Sequence, residues 1–272
     1  MKWITVTATH APGRVYQSLH SQSKTYTQED VYIRAWIPVV IKPKFALAIG
    51  PHYRSEQLEL KTAGNDVANQ LSKWQLRSWG VDMKSMIELN QNSWLINTAS
   101  VSHSGNFNSP SQTMIPFSYT FSSTYLLKKS VDEEIGFGLM VNQTNKLMVL
   151  PVFVFNYNFS DRSGIEISLP HKIAWRQNLS KTDILYLKSE AVTRTYFIRE
   201  DRGAKPEIFR RIDVDIGDAY NKQLRRFVGF EMFAGYRQNI SYSLPVNITA
   251  VKNSGWAASF EIYVRPPQRL RR

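Results

Sequence analysis

"LMVLPVFVFNYNFSDRSGIEISLPHKIAWR", residues 147–176, consists of two apolar runs joined by a short polar sequence. The joint at 160–164 reads SDRSG, a cluster of residues that favour turns. After it, apolar residues occupy every second position from Ile165 to Leu169 and alternate with polar residues such as Glu166. A period of two predicts a β-strand with one apolar and one polar side. The fold therefore depends on whether the apolar sides meet another sheet or lipid.

The same alternation recurs in the segments 45–53, 115–122, 134–141, 211–216, 228–236 and 255–265. We predict short links at 41–44, 91–94, 142–145 and 160–164, and longer ones at 17–30, 61–70, 105–113 and 199–207. Helical periodicity is convincing nowhere. The pattern predicts an all-β fold, a single up-and-down antiparallel β-barrel domain that extends over residues 1–272 and has about 12 strands, within a range of roughly 12–14.

One predicted strand changes phase. In the segment 73–89, Trp74 and Leu76 lie at even positions, whereas Trp79 and the apolar residues after it lie at odd positions. A β-bulge inserts one residue into a strand and reverses the side on which later residues lie. We therefore predict a bulge near Ser78.

The composition excludes several kinds of site. The chain has no cysteine, which excludes disulfides, thiolate nucleophiles and cysteine-based metal centres. Its five histidines are isolated in the sequence, so we predict neither a metal site nor a cofactor. The 34 Lys and Arg residues against 22 Asp and Glu give a net charge of +12, but this charge is scattered and forms no long basic run. We therefore expect no nucleic-acid partner.

The lengths and polar faces of the predicted strands favour lipid over water. No apolar run of about 18 residues is present, so no transmembrane helix is predicted. Strands of soluble proteins average about five or six residues, whereas a strand that crosses a bilayer needs about 9–11. The runs of this chain reach or exceed that length. Small residues on the polar faces, such as Ala46, Ala48 and Gly50, suit a crowded interior. The pattern thus favours a transmembrane barrel, and a soluble all-β ligand-binding protein stays open as an alternative.

This interpretation predicts which polar side chains face the lumen and which aromatic side chains face lipid. In a membrane barrel the polar faces line the lumen. The polar residues that we expect there are Glu166, Lys172, Arg176, Arg211, Asp213, Asp215, Glu231 and Glu261. Aromatic residues on the apolar faces would form belts at the membrane–water interfaces. These residues are Tyr53, Tyr119, Tyr157, Trp175, Tyr236 and Trp256.

Three stretches resemble a known family. They are IPVVIKPKFALAIGPHYR at 37–54, WQLRSWGVDMKSMIELNQNSWLINTASVSHSGNF at 74–107 and GFGLMVNQTNKLMVLPVFVFNYNFSDRSGIEISLP at 136–170. In these strand-and-turn patterns the chain resembles an uncharacterised family of predicted outer-membrane β-barrel proteins from Bacteroidota, a domain of unknown function. The resemblance extends over nearly the whole chain. It implies a fold and an outer-membrane location, and it implies no reaction and no catalytic residues.

The sequence SVSHSGNF at 100–107 suggests one enzymatic alternative, a lipid hydrolase that uses His103 and Ser104. A serine nucleophile needs its histidine base within hydrogen-bond distance. Adjacent residues of a strand point to opposite sides of the sheet, so these two side chains would not meet. We therefore predict a protein without enzymatic activity, and the hydrolase remains an alternative.

Two non-enzymatic functions fit the predicted barrel. One is a narrow channel for small solutes, with the lumen charges setting its selectivity. The other is a structural or partner-binding barrel of the envelope. In either case the expected partners are outer-membrane lipid and lipopolysaccharide, and the partner-binding alternative adds another envelope protein. The chain lacks an apolar leader segment, so for an exported protein we expect that a signal peptide has been removed.

Overall fold

A computed structural model describes residues 2–18, 21–60, 75–106, 116–144, 146–198, 207–243 and 254–266. It contains the strands β1 (Ile4–Ser18), β2 (Ser21–Ala35), β3 (Ile37–Lys42), β4 (Phe45–Leu60), β5 (Gln75–Asn90), β6 (Ser93–Gly105), β7 (Phe117–Lys128), β8 (Glu133–Gln143), β9 (Leu147–Asn158), β10 (Ser163–Leu169), β11 (Lys172–Asn178), β12 (Asp183–Ile198), β13 (Glu207–Gln223), β14 (Val228–Ser243) and β15 (Ser254–Val264). In this part of the chain no helix has the length and apolarity needed to cross a bilayer.

The strands form one closed antiparallel sheet. From β3 to β15 each strand pairs with the next one along the chain, and β15 then pairs with β1, which pairs with β2. The sheet closes where β2 pairs with β4, from Tyr26 opposite Leu60 to Arg34 opposite His52. β3 continues the line of β2 after Trp36 and also pairs with β4. β2 and β3 therefore form one interrupted strand, and the wall contains 14 strands.

The prediction of an all-β up-and-down transmembrane barrel is thus confirmed. The strand number lies at the upper end of the predicted range, two above the central estimate. Part of the difference lies at 17–30, which we predicted as a loop. The prediction of a loop there is wrong, because β1 runs to Ser18 and β2 begins at Ser21. The polar sequence of this segment gives no sign of a strand. The backbone is extended there because β2 pairs with β1 on one side and with β4 on the other.

The two ends of the barrel differ in their connections. At one end the strands are joined by short turns, among them those between β3 and β4, β5 and β6, and β9 and β10. The first and last strands also meet there, since the Trp3 amide, just before β1, donates to the Val264 carbonyl of β15. At the other end lie the longer connections after β4, β6, β12 and β14. We call these the short-turn end and the long-loop end. The predicted loops at 61–70, 105–113 and 199–207 lie largely outside the described residues.

The outer face of the barrel is apolar. Large hydrophobic side chains point outward, such as Phe137 at 59% exposure and Leu139 at 58%. The six aromatic residues assigned to the lipid side are all exposed: Tyr53, Tyr119, Tyr157, Trp175, Tyr236 and Trp256. An apolar band of this kind would be unfavourable in water but matches the hydrocarbon core of a bilayer.

The predicted bulge near Ser78 is wrong. β5 pairs with β4 without a register shift from Gln75 to Ile87, and its pairing with β6 is also regular there. Trp79 points outward as expected, whereas Leu76 is fully buried in the interior. The apparent change of phase thus arises because Leu76 is an apolar residue on the inner face of the barrel. Trp74 lies outside the described residues.

Small residues on the inner face make room for large side chains. A Cβ atom on Gly50 would come within 2.8 Å of the Trp36 ring, and one on Gly80 would come within 2.9 Å of the His52 ring. Ala48, which lies on the same face as Gly50, is buried. Residues with little or no side chain at these positions let bulkier groups extend into the lumen.

Substitutions on the two faces of β8 test which side meets lipid. Leu139→Arg places a charge on the outer face and should destabilise the barrel in bilayers by about 2–4 kcal/mol. Met140→Arg is the matched control, because the next residue along a strand points to the opposite side. Met140→Arg should lower the free energy of unfolding by less than Leu139→Arg does. Reversible unfolding from lipid vesicles measures this free energy for both variants. An equal cost for the two variants would contradict an outward-facing Leu139.

Candidate functional site: the charged lumen and its closed mouth

The end of the β12–β13 hairpin folds across the mouth of the barrel at the long-loop end. Three consecutive residues of β12, Tyr196, Phe197 and Ile198, are buried, although alternate residues of a wall strand would face outward. Phe197 pairs in parallel with Gly105 of β6, a strand on a different part of the wall. On the β13 side, the Arg210 guanidinium approaches the Met148 sulfur of β9 at 4.0 Å. These contacts with β6 and β9 require that the hairpin end lies over the lumen.

A buried ionic network holds this hairpin end. Arg211 Nη1 donates to Glu56 Oε1 at 2.7 Å, and Arg211 Nε lies 2.6 Å from Asp213 Oδ2. All three side chains are fully buried. The Tyr196 hydroxyl donates to the second oxygen of Glu56 at 2.8 Å. Glu56 belongs to β4, so these bonds tie both strands of the hairpin to another part of the wall.

A second arginine extends the network to β2 and β14. Arg237 donates from Nε and Nη2 to the two oxygens of Asp215, at 2.5 and 2.7 Å. This two-bonded arrangement matches the planar guanidinium to the carboxylate. Gln28 links Arg237 to Glu56. Its Oε1 accepts from Arg237 at 3.3 Å, and its Nε2 donates to Glu56 at 3.0 Å. The network therefore joins β2, β4, β13 and β14.

Apolar side chains fill the mouth beside the network. The rings of Tyr196 and Phe209 stack with their centroids 6.0 Å apart. Leu58, Leu76 and Ile198 are buried at about the same level of the barrel. Here the inner face is apolar, which is the opposite of the rule for the rest of the wall. We call the part of the hairpin at 194–198 and 207–213 the mouth segment.

The lumen beyond the mouth segment is polar and charged. A cavity of about 720 Å³ is lined by Lys2, Arg34, Arg54, Lys84, Lys188, Arg194 and Arg237 and by Asp30, Glu190, Asp215, Glu231 and Glu261, together with Thr, Ser and aromatic side chains. A second cavity of about 450 Å³ near the short-turn end shares Lys2, Lys188, Glu190, Glu231 and Glu261 with it. The shared residues show that the two cavities adjoin.

Ion pairs cross-link the lumen wall. Lys188 bonds to Glu231 at 2.9 Å, and Lys2 contacts both Glu231 and Glu261. Arg54 pairs with Asp30, and Arg194 lies 3.5 Å from the same carboxylate. Such pairs keep charged side chains against the wall and leave the centre of the lumen to water or solute.

The eight predicted lumen residues fall into three places. Arg211 and Asp213 belong to the buried network of the mouth. Asp215, Glu231 and Glu261 line the larger cavity. Glu166, Lys172 and Arg176 form a cluster on β10 and β11, in which Glu166 lies 2.9 Å from Lys172 and 3.7 Å from Arg176. Lys172, Glu231 and Glu261 line the smaller cavity. A role for these residues in selectivity stays a prediction.

Several functional candidates escaped the sequence analysis. Lys188, Glu190 and Arg194 of β12 all lie at even positions, so a period of two could have indicated that they share one face. Gln28 and Asp30 lie in the segment predicted as a loop. The partnership between Glu56 and Arg211 had no local signal, because 155 residues separate the two.

His103 and Ser104 lie on opposite sides of β6. The His103 ring contacts the rings of Trp79 and Phe117, both of which point outward, at 5.3 and 5.1 Å. The Ser104 hydroxyl donates to the Ser78 hydroxyl at 2.6 Å on the inner side. This arrangement offers no histidine base to Ser104. Within the described residues, no group of three or more His, Asp and Glu side chains is placed to hold a metal ion.

The family described as Domain of unknown function (DUF6268) matches residues 58–245. The chain belongs to this family. The DUF6268 segment includes most of the wall and both strands of the mouth segment. β1, β2, β3, β15 and all but the last three residues of β4 lie outside it. The further assignment to Bacteroidota stays a prediction.

Solved structures are similar to this chain at very low sequence identity. An outer membrane channel from Pseudomonas putida F1 is similar with a TM-score of 0.51 and 9% identity, over 96% of this chain and 94% of that chain. A deltaS2 mutant of the TodX monoaromatic hydrocarbon channel has a TM-score of 0.46 and 7% identity, over 96% and 88%. LpxR from Salmonella typhimurium has a TM-score of 0.42 and 7% identity, over 96% and 99%. The likeness to the Pseudomonas channel establishes a shared fold. No curated protein matches the sequence.

Removal of the Arg211 guanidinium should loosen the mouth segment. Arg211→Gln leaves two buried carboxylates without their shared cation, and loss of one partner of a buried pair typically costs about 3–5 kcal/mol. We expect the free energy of local opening to fall by about that amount, measured as faster hydrogen exchange of the amides at 194–198.

The control for this variant is Lys129→Gln, which removes an exposed ion pair with Glu133 in the turn after β7. An exposed pair contributes about 0–1 kcal/mol, so this change should leave exchange at 194–198 as it is. Equal exchange in wild type and Arg211→Gln would show that the network does not hold the mouth segment.

Proposed function

We propose that this DUF6268 protein is an outer-membrane channel for small polar solutes and that the mouth segment closes it at the long-loop end. The observation that carries the proposal is a charged cavity of about 720 Å³ inside a 14-strand wall, covered by a segment that belongs to the wall itself. The apolar outer face supports insertion into lipid. The fold shared with an outer membrane channel is consistent with this location, and the transport function rests on the lumen.

The polar lining supports passage of solutes. A barrel that serves only as a scaffold can fill its interior with side chains that exclude water. Here lysine, arginine and carboxylate groups surround an open space, and their pairing along the wall leaves that space free. Charged groups along a lumen of this kind set electrostatic barriers and attractions for permeating solutes.

The chemistry of the mouth supports a reversible closure. Burial of charged groups costs desolvation energy, so a buried ionic network gains little net free energy over its hydrated, open form. Arg211, Glu56 and Asp213 would recover water contacts if the hairpin end moved outward. The apolar side chains beside the network, such as Phe209 and Ile198, would lose free energy on exposure to water, and they favour the closed position. The network therefore suits a segment that alternates between a closed and an open position.

A disulfide across the mouth tests this proposal. Phe197 and Gly105 are paired across the mouth, and residues on neighbouring strands lie about 5 Å apart, within the range of about 4.4–6.8 Å that a disulfide spans. The chain has no cysteine of its own. The double variant Phe197→Cys with Gly105→Cys should therefore form one defined bond, which locks the mouth segment in place.

The measurement is conductance of the double variant in planar bilayers under oxidising and reducing conditions. We expect low conductance when the bond is formed and higher conductance, with gating transitions, when it is reduced. The control is Ser102→Cys with Ser118→Cys, a pair on neighbouring wall strands, for which oxidation should change nothing. Equal conductance of the oxidised and reduced double variant would show that the mouth segment is not a gate. Absence of conductance under every condition would refute the channel itself.

A further inference from the structure

One cation of the lumen differs from the others in its surroundings. The other lysines and arginines that line the larger cavity each lie against a carboxylate, as Lys188 does against Glu231 and Arg237 against Asp215. Lys84 of β5 lines the same cavity, and in the described part of the chain no carboxylate forms an ion pair with it. Arg34 lines the same cavity and pairs with Asp82, which lies two residues before Lys84 on the same face of β5. Two positive charges thus lie together on one part of the lumen wall.

The carboxylate on the same face of β5 is already engaged. Asp82 lies two residues before Lys84, and its Oδ2 accepts contacts from Arg34 at 3.5 Å and from His52 at 3.4 Å. Ser100 on the neighbouring strand also bonds to Asp82. The charge of Asp82 is therefore shared among several donors, and it does not neutralise the Lys84 ammonium.

Aromatic rings fix the position of Arg34. Its guanidinium carbon lies 5.4 Å from the centroid of the Trp36 ring and 5.6 Å from that of Tyr32. Trp36 in turn rests on Gly50, where a Cβ would approach its ring to 2.8 Å. A guanidinium held between two rings keeps its N–H groups pointing in fixed directions. The site thus combines the placed guanidinium of Arg34 with the ammonium of Lys84.

The strands beside Lys84 leave space for a bound group. Its neighbours across β5 are Ala48 on one side and Thr98 on the other. Ala48 has no polar atom in its side chain, and Thr98 carries a hydroxyl that also lines the cavity. A lysine, a guanidinium and a hydroxyl around an open space form a donor set for an oxyanion.

We infer that Lys84, Arg34 and Thr98 form a binding site for the carboxylate or phosphate group of a small solute in the lumen. This inference rests on the proposed function, because the solute reaches the site through the lumen. The cavity volume lies within the range of roughly 300–1,000 Å³ typical of small-molecule sites, so a small organic anion fits beside the charged group. The site makes the passage selective for solutes that carry such a group.

Binding of inorganic phosphate and of acetate to the refolded barrel tests this inference. Equilibrium dialysis or ³¹P NMR titration in detergent at low ionic strength measures the affinity without any need for an open gate. We expect Lys84→Gln to weaken the binding of both anions about tenfold or more, since it removes a charge-assisted donor. Lys172→Gln is the matched control, because Lys172 is a lumen lysine that is neutralised by Glu166 at 2.9 Å. It should change the affinity less than twofold.

The outcomes separate this site from the channel. Failure of wild type to bind either anion, or equal affinities of wild type and Lys84→Gln, would overturn the site, and the disulfide experiment would still decide the channel. An equal loss in Lys84→Gln and Lys172→Gln would show that the lumen attracts anions through its overall charge, and this too would overturn the site. Specific binding in a barrel that never conducts would retain the site and refute only the channel.

Discussion

The pairing of β2 with β4 is the constraint on which the rest of the structure depends. A backbone polar group in lipid has no water to bond with, so a sheet can cross a bilayer only if it has no open edge. β2 is paired on its other side with β1, and its bonds to β4 close the wall. Once the sheet is closed, the alternation along every strand divides the side chains between lipid and lumen. The charged interior is thus a consequence of closure.

The interior itself has two parts with different chemistry. At the long-loop end the mouth segment brings Tyr196, Phe209 and the Arg211 network into a closely packed, buried layer. Farther along the lumen, charged side chains lie against the wall and surround open space. The first part resembles the core of a soluble protein, and the second resembles a lined passage. This division is the physical basis for treating the mouth as a closure and the lumen as the place where solutes bind.

The pairing of charges in the lumen also explains why a single residue stands out. Most of the described lumen cations are balanced by a carboxylate within 4 Å, such as Lys188 by Glu231, and such pairs contribute to the wall without attracting a solute strongly. Among the residues that the structure describes, no carboxylate pairs with Lys84, and Arg34 shares Asp82 with His52. In a lumen with many charges, selectivity therefore depends less on the total charge than on which charges are left unbalanced.

The sequence by itself determined the repeating unit of the structure. Alternation of period two in segments such as 165–169 predicts strands, outward apolar faces and inward polar ones, because successive side chains of a strand point to opposite sides. The same rule predicts that the side chains of His103 and Ser104 point to opposite sides of their strand. It also placed Ala48 and Gly50 on the crowded inner side.

The tertiary structure decided the features that depend on contacts between strands distant in the sequence, since a local alternation carries no information about them. The sequence of β5 predicts a bulge because an apolar residue at Leu76 breaks the alternation. Leu76 in fact points inward, where the mouth segment makes the interior apolar. The segment 17–30 looked like a loop because its polar side chains gave no sign of the strands that pair with it. Glu56 and Arg211 meet only because the β12–β13 hairpin crosses the mouth. The surroundings of Lys84 in the described part of the chain likewise depend on where distant strands place their charges. Local pattern predicts the wall of a barrel, whereas contacts between distant strands decide whether the barrel is open and which charges face a solute.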